Sequence, residues 1–488
     1  MTAEALILLA LFLPLAGALG IALAHGRPNL REAVSLATAA GLALAVWSLL
    51  PEVMAGARPA VELMSLMPGL AIRFAVEPLG ALFAALASLL WIVNTIYSIG
   101  YMRGNGEQHQ TRFYILFAIA LFATIGIAFA GNLLTLFVFY EILTLSTYPL
   151  VAHKGDPKSV ASARVYLGVL LATSIGLLLP AIIWTWQTAG TLEFTPDGIL
   201  DGRISGPAAG LLLALFMFGT GKAALMPVHR WLPAAMVAPT PVSALLHAVA
   251  VVKAGVFVVT KLVVYVFGVD FLQGEASAEW LLYAAGFTTI AASVVALRQD
   301  NLKRMLAYST VAQLSYVTLA AALFRPVAEV GAALHIAAHG LGKITLFFAA
   351  GSIYTAARKT EISQLDGIAR RMPWTFTAFT IGALAMIGLP PTAGFISKWQ
   401  ILMGSLEAGA WFAVAVLVVS TALNAAYFLP IVHRAWFRAE PAGPTPGHGE
   451  APWPVVLALT VTAVLTLAFF FCHRPVLELA WMIVGGAP

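Results

Sequence analysis

The sequence contains little charge and almost no cysteine. Charged residues make up 10% of its 488 positions, against about a quarter in ordinary soluble domains, whereas hydrophobic residues make up 60%. Cys472 is the single cysteine, which excludes an internal disulfide and an iron–sulfur cluster held by this chain alone. The basic residues are scattered among short loops without interleaved aromatic residues, so nucleic-acid binding is not indicated. This composition indicates a polytopic protein of the lipid bilayer.

Long apolar segments predict an all-α fold. Fourteen segments are long enough to cross a bilayer at roughly 1.5 Å per residue. They cover residues 4–24, 31–51, 75–99, 112–130, 132–153, 160–189, 207–227, 241–268, 278–297, 302–323, 327–357, 373–403, 408–432 and 453–472. Most loop lysines and arginines fall on one side, and the opposite loops hold only Arg58, Arg73, Arg203, Arg325 and Arg474. The positive-inside rule therefore predicts a bacterial cytoplasmic (inner) membrane protein with both termini on the outer, periplasmic side.

Two of these segments contain residues that interrupt a helix. The seventh contains Pro227, and the twelfth contains Pro390 and Pro391. Proline removes a backbone donor, and non-helical backbone at membrane depth is tolerated only inside protein or along a cavity. A lysine accompanies each break, Lys222 in the seventh segment and Lys398 in the twelfth. This repetition suggests two units of inverted topology.

Glu141 lies deep in an apolar segment, about 14 Å beyond Asn132 along a helix. A carboxylate at that depth costs at least about 2.5 kcal/mol on insertion scales, so a partner and a function are expected. The lysines at comparable depth are the candidate partners: Lys222, Lys253, Lys261, Lys343 and Lys398. Burial disfavours the charged form of such groups and an opposite charge favours it, so a Glu–Lys pair can hold or release a proton as it closes or opens.

Histidines near these lysines are candidate proton relays, because imidazole titrates near neutral pH. His247 precedes Lys253 by six residues, and His335, His339 and Lys343 share one helical face at i, i+4 and i+8. The predicted proton-transfer residues are Glu141, Lys222, His247, Lys253, His335, His339, Lys343 and Lys398.

Several of these residues also have a purely structural interpretation. Glu141 could neutralise one lysine in a fixed ion pair, and Lys261, near the end of its segment, could extend its ammonium group to the membrane surface. His335 and His339 have the spacing of a metal-binding pair but no clear third ligand. We expect no metal, no cofactor, no catalytic residue and no redox centre in this chain.

The motifs resemble those of the antiporter-like subunits shared by respiratory complex I, membrane-bound hydrogenases and Mrp-type cation/proton antiporters. Residues 139–144 are similar to the glutamate motif of that family's fifth helix. Residues 222–253 resemble its most distinctive block, and residues 388–398 its second broken helix.

This resemblance implies fourteen helices with two inverted five-helix repeats and broken helices 7 and 12. The implied divisions are residues 1–111 for the first three helices, 112–268 and 278–432 for the repeats, and 453–488 for the last helix. It also implies that Glu141 tunes Lys222, that Lys253 passes protons centrally and that Lys398 controls the exit half-channel.

Three functional hypotheses remain. The pattern is most similar to the D-type subunits of Mrp antiporters, which implies a proton-translocating subunit of a Na⁺ or K⁺/proton antiporter with other membrane subunits as partners. The second hypothesis is a proton-pumping subunit of a complex I-like NADH:quinone oxidoreductase or a membrane-bound hydrogenase. The third, a non-translocating structural subunit, is disfavoured by the presence of Glu141, Lys222, Lys253 and Lys398. The sequence does not distinguish Na⁺, K⁺ and protons alone.

Overall fold

A computed structural model describes residues 1–67, 69–440 and 449–486, and helices dominate this part of the chain. The helices are α1 (Ala3–Leu23), α2 (Pro28–Met54), α3 (Pro78–Gly104), α4 (Gln110–Ala128), α5 (Leu133–Val151), α6 (Pro157–Ala189), α7 (Gly206–Gly219), α8 (Thr240–Phe267), α9 (Trp280–Leu297), α10 (Leu302–Ala321), α11 (Pro326–Ala357), α12 (Pro373–Ile387), α13 (Ala393–Glu407), α14 (Trp411–Phe437), α15 (Trp453–Phe471) and α16 (Arg474–Trp481).

This arrangement confirms the predicted all-α polytopic fold. Within the described ranges, eleven helices are long and apolar enough to cross a membrane. The shorter α7, the more polar α10 and the interrupted pair α12–α13 complete fourteen traverses. The seventh segment differs most from its predicted span of 207–227, because its α-helix already ends at Gly219. The short helix α16 was not predicted; it packs on α3 and α11.

A β-hairpin precedes α3 and was also missed from the sequence. Strands β1 (Ala60–Met67) and β2 (Leu70–Ala75) pair antiparallel. The strands are short and mix polar with apolar residues, so they carry no long hydropathy signal. The backbone N–H of Ala75 donates to the Phe129 oxygen at 2.7 Å, which ties the hairpin to the connection between α4 and α5.

Helices α8 and α11 form the core of the bundle. The most apolar 18-residue window of each is 100% buried, whereas only 33% of the corresponding window is buried in α6 and α15. The outer helices therefore present their apolar side chains to lipid or to other subunits. Helix α8 contains π-helical turns at Leu245–Val249 and Val263–Phe267, a feature that frequently accompanies functional sites.

The chain leaves the α-helical conformation at both predicted breaks. Beyond α7, Gly221–Ala223 form a 3₁₀ turn, and Pro227 lies before the short helical turn Trp231–Ala234. Pro390 and Pro391 lie between α12 and α13, and both are exposed in the isolated chain. The division into repeats at 112–268 and 278–432 stays a prediction, as do the flanking ranges 1–111 and 453–488. Residues 487–488 of the last range lie outside the described residues.

The loops form two faces of opposite character. We call the face with the loops after α3, α5, α9 and α11 the basic face; there the Arg103 guanidinium pairs with Glu32. We call the face with the hairpin, the α6–α7 loop and the α8–α9 loop the acidic face; there Arg73 pairs with Glu193 at 2.7 Å. Because the number of traverses is even, α1 begins and α15 ends at the acidic face.

Gly394 allows α13 to pack closely on α12. A Cβ at this position would overlap the backbone oxygen of Ala385. We expect Gly394→Ala to lower the free energy of unfolding by about 1–3 kcal/mol through overpacking, seen as a lower melting temperature in detergent. Gly168→Ala is the matched control, because a Cβ there meets nothing within 4 Å in α6. Equal melting temperatures for the two variants would contradict this packing.

Candidate functional site

Lys222 lies in the 3₁₀ turn after α7 and points its ammonium group at α5. The fully buried group donates to the backbone oxygen of Tyr140 at 2.9 Å and to the hydroxyl of Thr144 at 2.5 Å. Its Nζ also lies 3.1 Å from the centre of the Tyr140 ring. Gly255 of α8 packs directly on this turn, and a Cβ there would overlap the Lys222 backbone. Glycine is therefore needed to bring α8 against the lysine.

Glu141 is a neighbour of Lys222 but not its hydrogen-bond partner. Its Oε1 atom is buried and has no hydrogen-bond partner among the described residues. Lys222 instead bonds to Tyr140 and Thr144, one residue before and three residues after the glutamate. The fixed ion pair that was the structural alternative for Glu141 is thus not formed, although the two charges are close enough to interact.

Helices α8 and α11 bring Lys253 together with two histidines at the centre of the bundle. The Nζ atom of Lys253 lies 2.5 Å from Nδ1 of His339. The rings of His339 and His335 are nearly parallel, at 11°, and their centres are 6.0 Å apart. All three side chains are buried. The spacing of the two histidines on α11 therefore does place both rings on one internal face.

Hydrogen bonds continue from His335 towards Lys398. Nδ1 of His335 lies 2.9 Å from the Ser397 hydroxyl, and Nε2 lies 3.1 Å from Oε1 of Gln313. The amide nitrogen of Gln313 donates to the backbone oxygen of Met386 at 3.2 Å. Lys398 donates to the same oxygen at 2.9 Å. We refer to Lys253, His339, His335, Gln313, Ser397 and Lys398 as the central line.

Lys398 occupies the broken end of α12. Besides Met386, it donates to the backbone oxygen of Ile387 at 3.0 Å, and its Nζ lies 4.7 Å from the centre of the Tyr316 ring. Met386 and Ile387 are the last two residues of α12. A cation is stabilised there because the final carbonyl groups of a helix lack internal partners and carry the negative end of its dipole.

His247 and Lys343 lie beside the central line. His247 occupies the first π-helical turn of α8, with its ring centre 4.7 Å from that of Phe347. Neither ring nitrogen of His247 has a hydrogen-bond partner in the described part of the chain. Lys343 donates to the hydroxyl of Ser309 in α10 at 2.9 Å. The predicted series on α11 is therefore divided, because its histidines face Lys253 and Lys398 while Lys343 faces α10.

Several neutral partners were not anticipated from the sequence. They are Tyr140, Thr144, Ser309, Gln313 and Ser397. Serine and threonine recur throughout the helices, so only tertiary packing singles these out. The pair flanking Glu141 did carry a signal, since residues four apart share one helical face.

Lys261 forms a separate ion pair at the acidic face. Its Nζ bonds to Oε1 of Glu77 at 2.8 Å and to the backbone oxygen of Ala130 at 2.9 Å. The Tyr265 hydroxyl donates to Oε2 of the same glutamate at 3.1 Å. Lys261 is fully buried, so its ammonium does not extend to the surface. Glu77 was missed because it stands outside the apolar run, where it caps α3 through the backbone N–H of Leu79.

Comparison with known proteins identifies relatives of this chain. The sequence profile described as NADH:quinone oxidoreductase/Mrp antiporter, transmembrane, matches residues 130–424, which contain every predicted proton-transfer residue. NADH-quinone oxidoreductase subunit N of Desulforudis audaxviator (strain MP104C) is 35% identical over 395 residues, which are 79% of this chain and 77% of that protein. The A/B-type protein of a probable K(+)/H(+) antiporter from Rhizobium meliloti (strain 1021) is 31% identical over 422 residues, 81% of this chain but only 41% of that protein.

Two solved structures have the same fold. A chain of the Mrp complex from Dietzia sp. DQ12-45-1b superposes with a TM-score of 0.88 at 23% identity, covering 99% of this chain and 97% of that one. A chain of the membrane-bound sulfane sulfur reductase, an archaeal respiratory membrane complex, gives a TM-score of 0.86 at 24% identity and covers 98% of each. Fold, profile and identity agree with the resemblance seen in the motifs: the chain belongs to the transmembrane family shared by NADH:quinone oxidoreductases and Mrp antiporters, and is an antiporter-like membrane subunit.

Proposed function

We propose that this chain is the proton-translocating subunit of a multisubunit Na⁺ or K⁺/proton antiporter and that protons move along the central line. The observation that carries the proposal is the series of close polar contacts from Lys253 to Lys398 inside the bundle. Buried ammonium groups are costly in a membrane, and well-packed apolar residues often stabilise a protein as well or better. A purely structural subunit would gain nothing from this arrangement.

Each group of the central line has a definite part in the transfer. The Lys253 ammonium can give a proton to Nδ1 of His339 along their 2.5 Å contact. The 6.0 Å between the two histidine rings exceeds a direct hydrogen bond, so this step needs a bridging water or a ring rotation. From His335 the Ser397 hydroxyl passes the proton on by accepting one and donating another. The Gln313 amide, which does not titrate, orients His335.

Lys222 and Glu141 control the supply of protons to this line. In the arrangement seen here Lys222 is held by the oxygens of Tyr140 and Thr144. Closure of the Glu141 carboxylate onto the ammonium would favour its charged form, and opening would favour proton release. Moving one proton through 100 mV exchanges about 2.3 kcal/mol, which a change of partner at one buried lysine can match.

A second candidate is a proton-pumping subunit of a redox-driven, complex I-like enzyme. The D. audaxviator relative favours it, because that NADH-quinone oxidoreductase protein aligns over 77% of its own length. Electron transfer would then belong to other subunits. For both candidates we propose membrane-embedded partner subunits on the exposed apolar faces, and the bacterial cytoplasmic membrane as the location.

Everted vesicles with the assembled complex and a pH-sensitive dye distinguish the two candidates. Without respiratory substrate, addition of Na⁺ or K⁺ should change the internal pH in wild type, and Lys222→Ala should reduce this change at least about tenfold. Glu141→Ala should act in the same direction. A pH change that requires an electron donor and ignores both cations would favour the redox-driven pump.

The central line can be tested at its first group. Lys253→Met removes the donor to His339 but retains a long apolar side chain, so assembly should persist while transport falls at least about tenfold. Lys158→Met is the control, because this lysine is exposed at the start of α6. Normal transport by Lys253→Met, in complexes as abundant as wild type, would rule out this route.

The orientation can be tested with the single cysteine. Cys472 is exposed where α15 ends at the acidic face, which the loop charges place outside. A membrane-impermeant maleimide should therefore label the chain in intact spheroplasts, and Cys472→Ser should abolish the signal. Labelling confined to everted vesicles would reverse the proposed orientation.

A further inference from the structure

A cavity of about 590 Å³ lies at the acidic face, away from the central line. Glu77, Lys261 and Tyr265 form part of its wall. Other charged groups around it are Asp197, Asp201, Asp270, Arg58 and Arg73. Residues after α16, from Met482 to Gly485, complete the wall. None of the predicted proton-transfer residues reaches this cavity.

Glu77 connects the polar groups of this wall. Its two carboxylate oxygens accept from the Lys261 ammonium at 2.8 Å, the Tyr265 hydroxyl at 3.1 Å and the Leu79 backbone N–H at 2.8 Å. Lys261 also lies 4.5 Å from the centre of the Phe194 ring. A carboxylate, a hydroxyl and an ammonium group are thus bonded together on the surface of a water-sized space.

A buried carboxylate with no hydrogen-bond partner lies behind this wall. Glu329, in the first turn of α11, is 0% exposed, and neither of its oxygens has a hydrogen-bond partner among the described residues. Its charge is close enough to act on Tyr265, and Pro326, one turn earlier, lines the cavity. The same helix carries His335 only six residues further on, about 9 Å along its axis. Glu329 therefore lies between the cavity and the central line.

We propose that Glu329, Tyr265 and Glu77 form a proton port that joins the central line to the acidic face, an inference that rests on the proposed function. The Glu329 carboxylic acid gives its proton to the Tyr265 oxygen, directly or through one water, while the Tyr265 hydroxyl gives its own proton to Oε2 of Glu77. Glu329 becomes a carboxylate, Glu77 becomes a carboxylic acid, and the tyrosine is neutral before and after.

Lys261 completes the cycle by drawing the proton off Glu77. When Glu77 is protonated its ion pair with Lys261 is lost, and release of the proton to the cavity restores it. The aspartates around the cavity attract the positive charge that leaves, so the port delivers protons to the acidic face. Run backwards, the same steps admit protons from that face.

Substitutions of the port test its chemistry in the vesicle assay of the assembled complex. Tyr265→Phe removes only the hydroxyl, and Glu329→Gln keeps the shape of the side chain but cannot hold the transferred proton. We expect each to transport protons at least about tenfold more slowly than wild type. Glu279→Gln, an exposed carboxylate of the same face, is the control and should leave the rate unchanged. Wild-type rates in both Tyr265→Phe and Glu329→Gln would overturn the port.

A second measurement tests the cavity even if those variants fail to assemble. Val484→Cys, in a Cys472→Ser background, places a thiol on the cavity wall. A cationic, impermeant thiol reagent applied to the acidic face should slow transport at least about tenfold, and application to the basic face should not. Complete modification, verified by mass, without inhibition would overturn the port.

The outcomes separate this inference from the proposed function. If wild type moves no protons, or if Lys253→Met transports normally, the central line itself is wrong. If wild type transports, Lys253→Met does not, and the Tyr265, Glu329 and Val484 variants all behave as wild type, only the port is wrong.

Discussion

A buried ammonium group must be bonded on all sides, because an unbonded charge at membrane depth costs at least about 2.5 kcal/mol and often much more. This chain meets that requirement by interrupting its helices. Lys398 bonds to the last two carbonyl groups of α12, which are available because the helix stops there. Lys222 sits in the turn after α7 and reaches a backbone oxygen of α5. The helix breaks and the complete burial of α8 and α11 follow from housing these charges.

The partners of the buried lysines divide them into two kinds. Lys253, Lys343 and Lys398 bond to neutral groups, namely an imidazole, a hydroxyl and backbone carbonyls. When such a lysine loses its proton it leaves a neutral amine and no unpaired carboxylate, so repeated proton transfer leaves no stranded charge. Lys261 bonds to a carboxylate instead. A fixed opposite charge suits a position beside a water-filled space, where it helps to return Glu77 to its charged form.

Helix α8 links these sites mechanically. It carries His247, Lys253 and Lys261, and its Gly255 packs on the backbone of Lys222. In the described part of the chain no hydrogen bond joins Lys222 to Lys253 directly, so communication between them passes through this packing. The π-helical turns at both ends of α8 loosen the regular ladder. A shift of this helix therefore changes the supply of protons, the central line and the cavity wall together.

The sequence by itself determined the class, the traverses, both breaks and the set of buried lysines, because hydropathy and proline act locally along the chain. It also placed His335 and His339 on one face, since helical periodicity fixes that relation. Only the tertiary structure decided the partners. Lys261 meets Glu77 across 184 positions, His335 meets Ser397 across 62, and Glu141 stands without the bond expected of it. The hairpin and Glu329 escaped notice for a related reason: a short strand and an acid in the first turn of a helix look ordinary until distant helices enclose them.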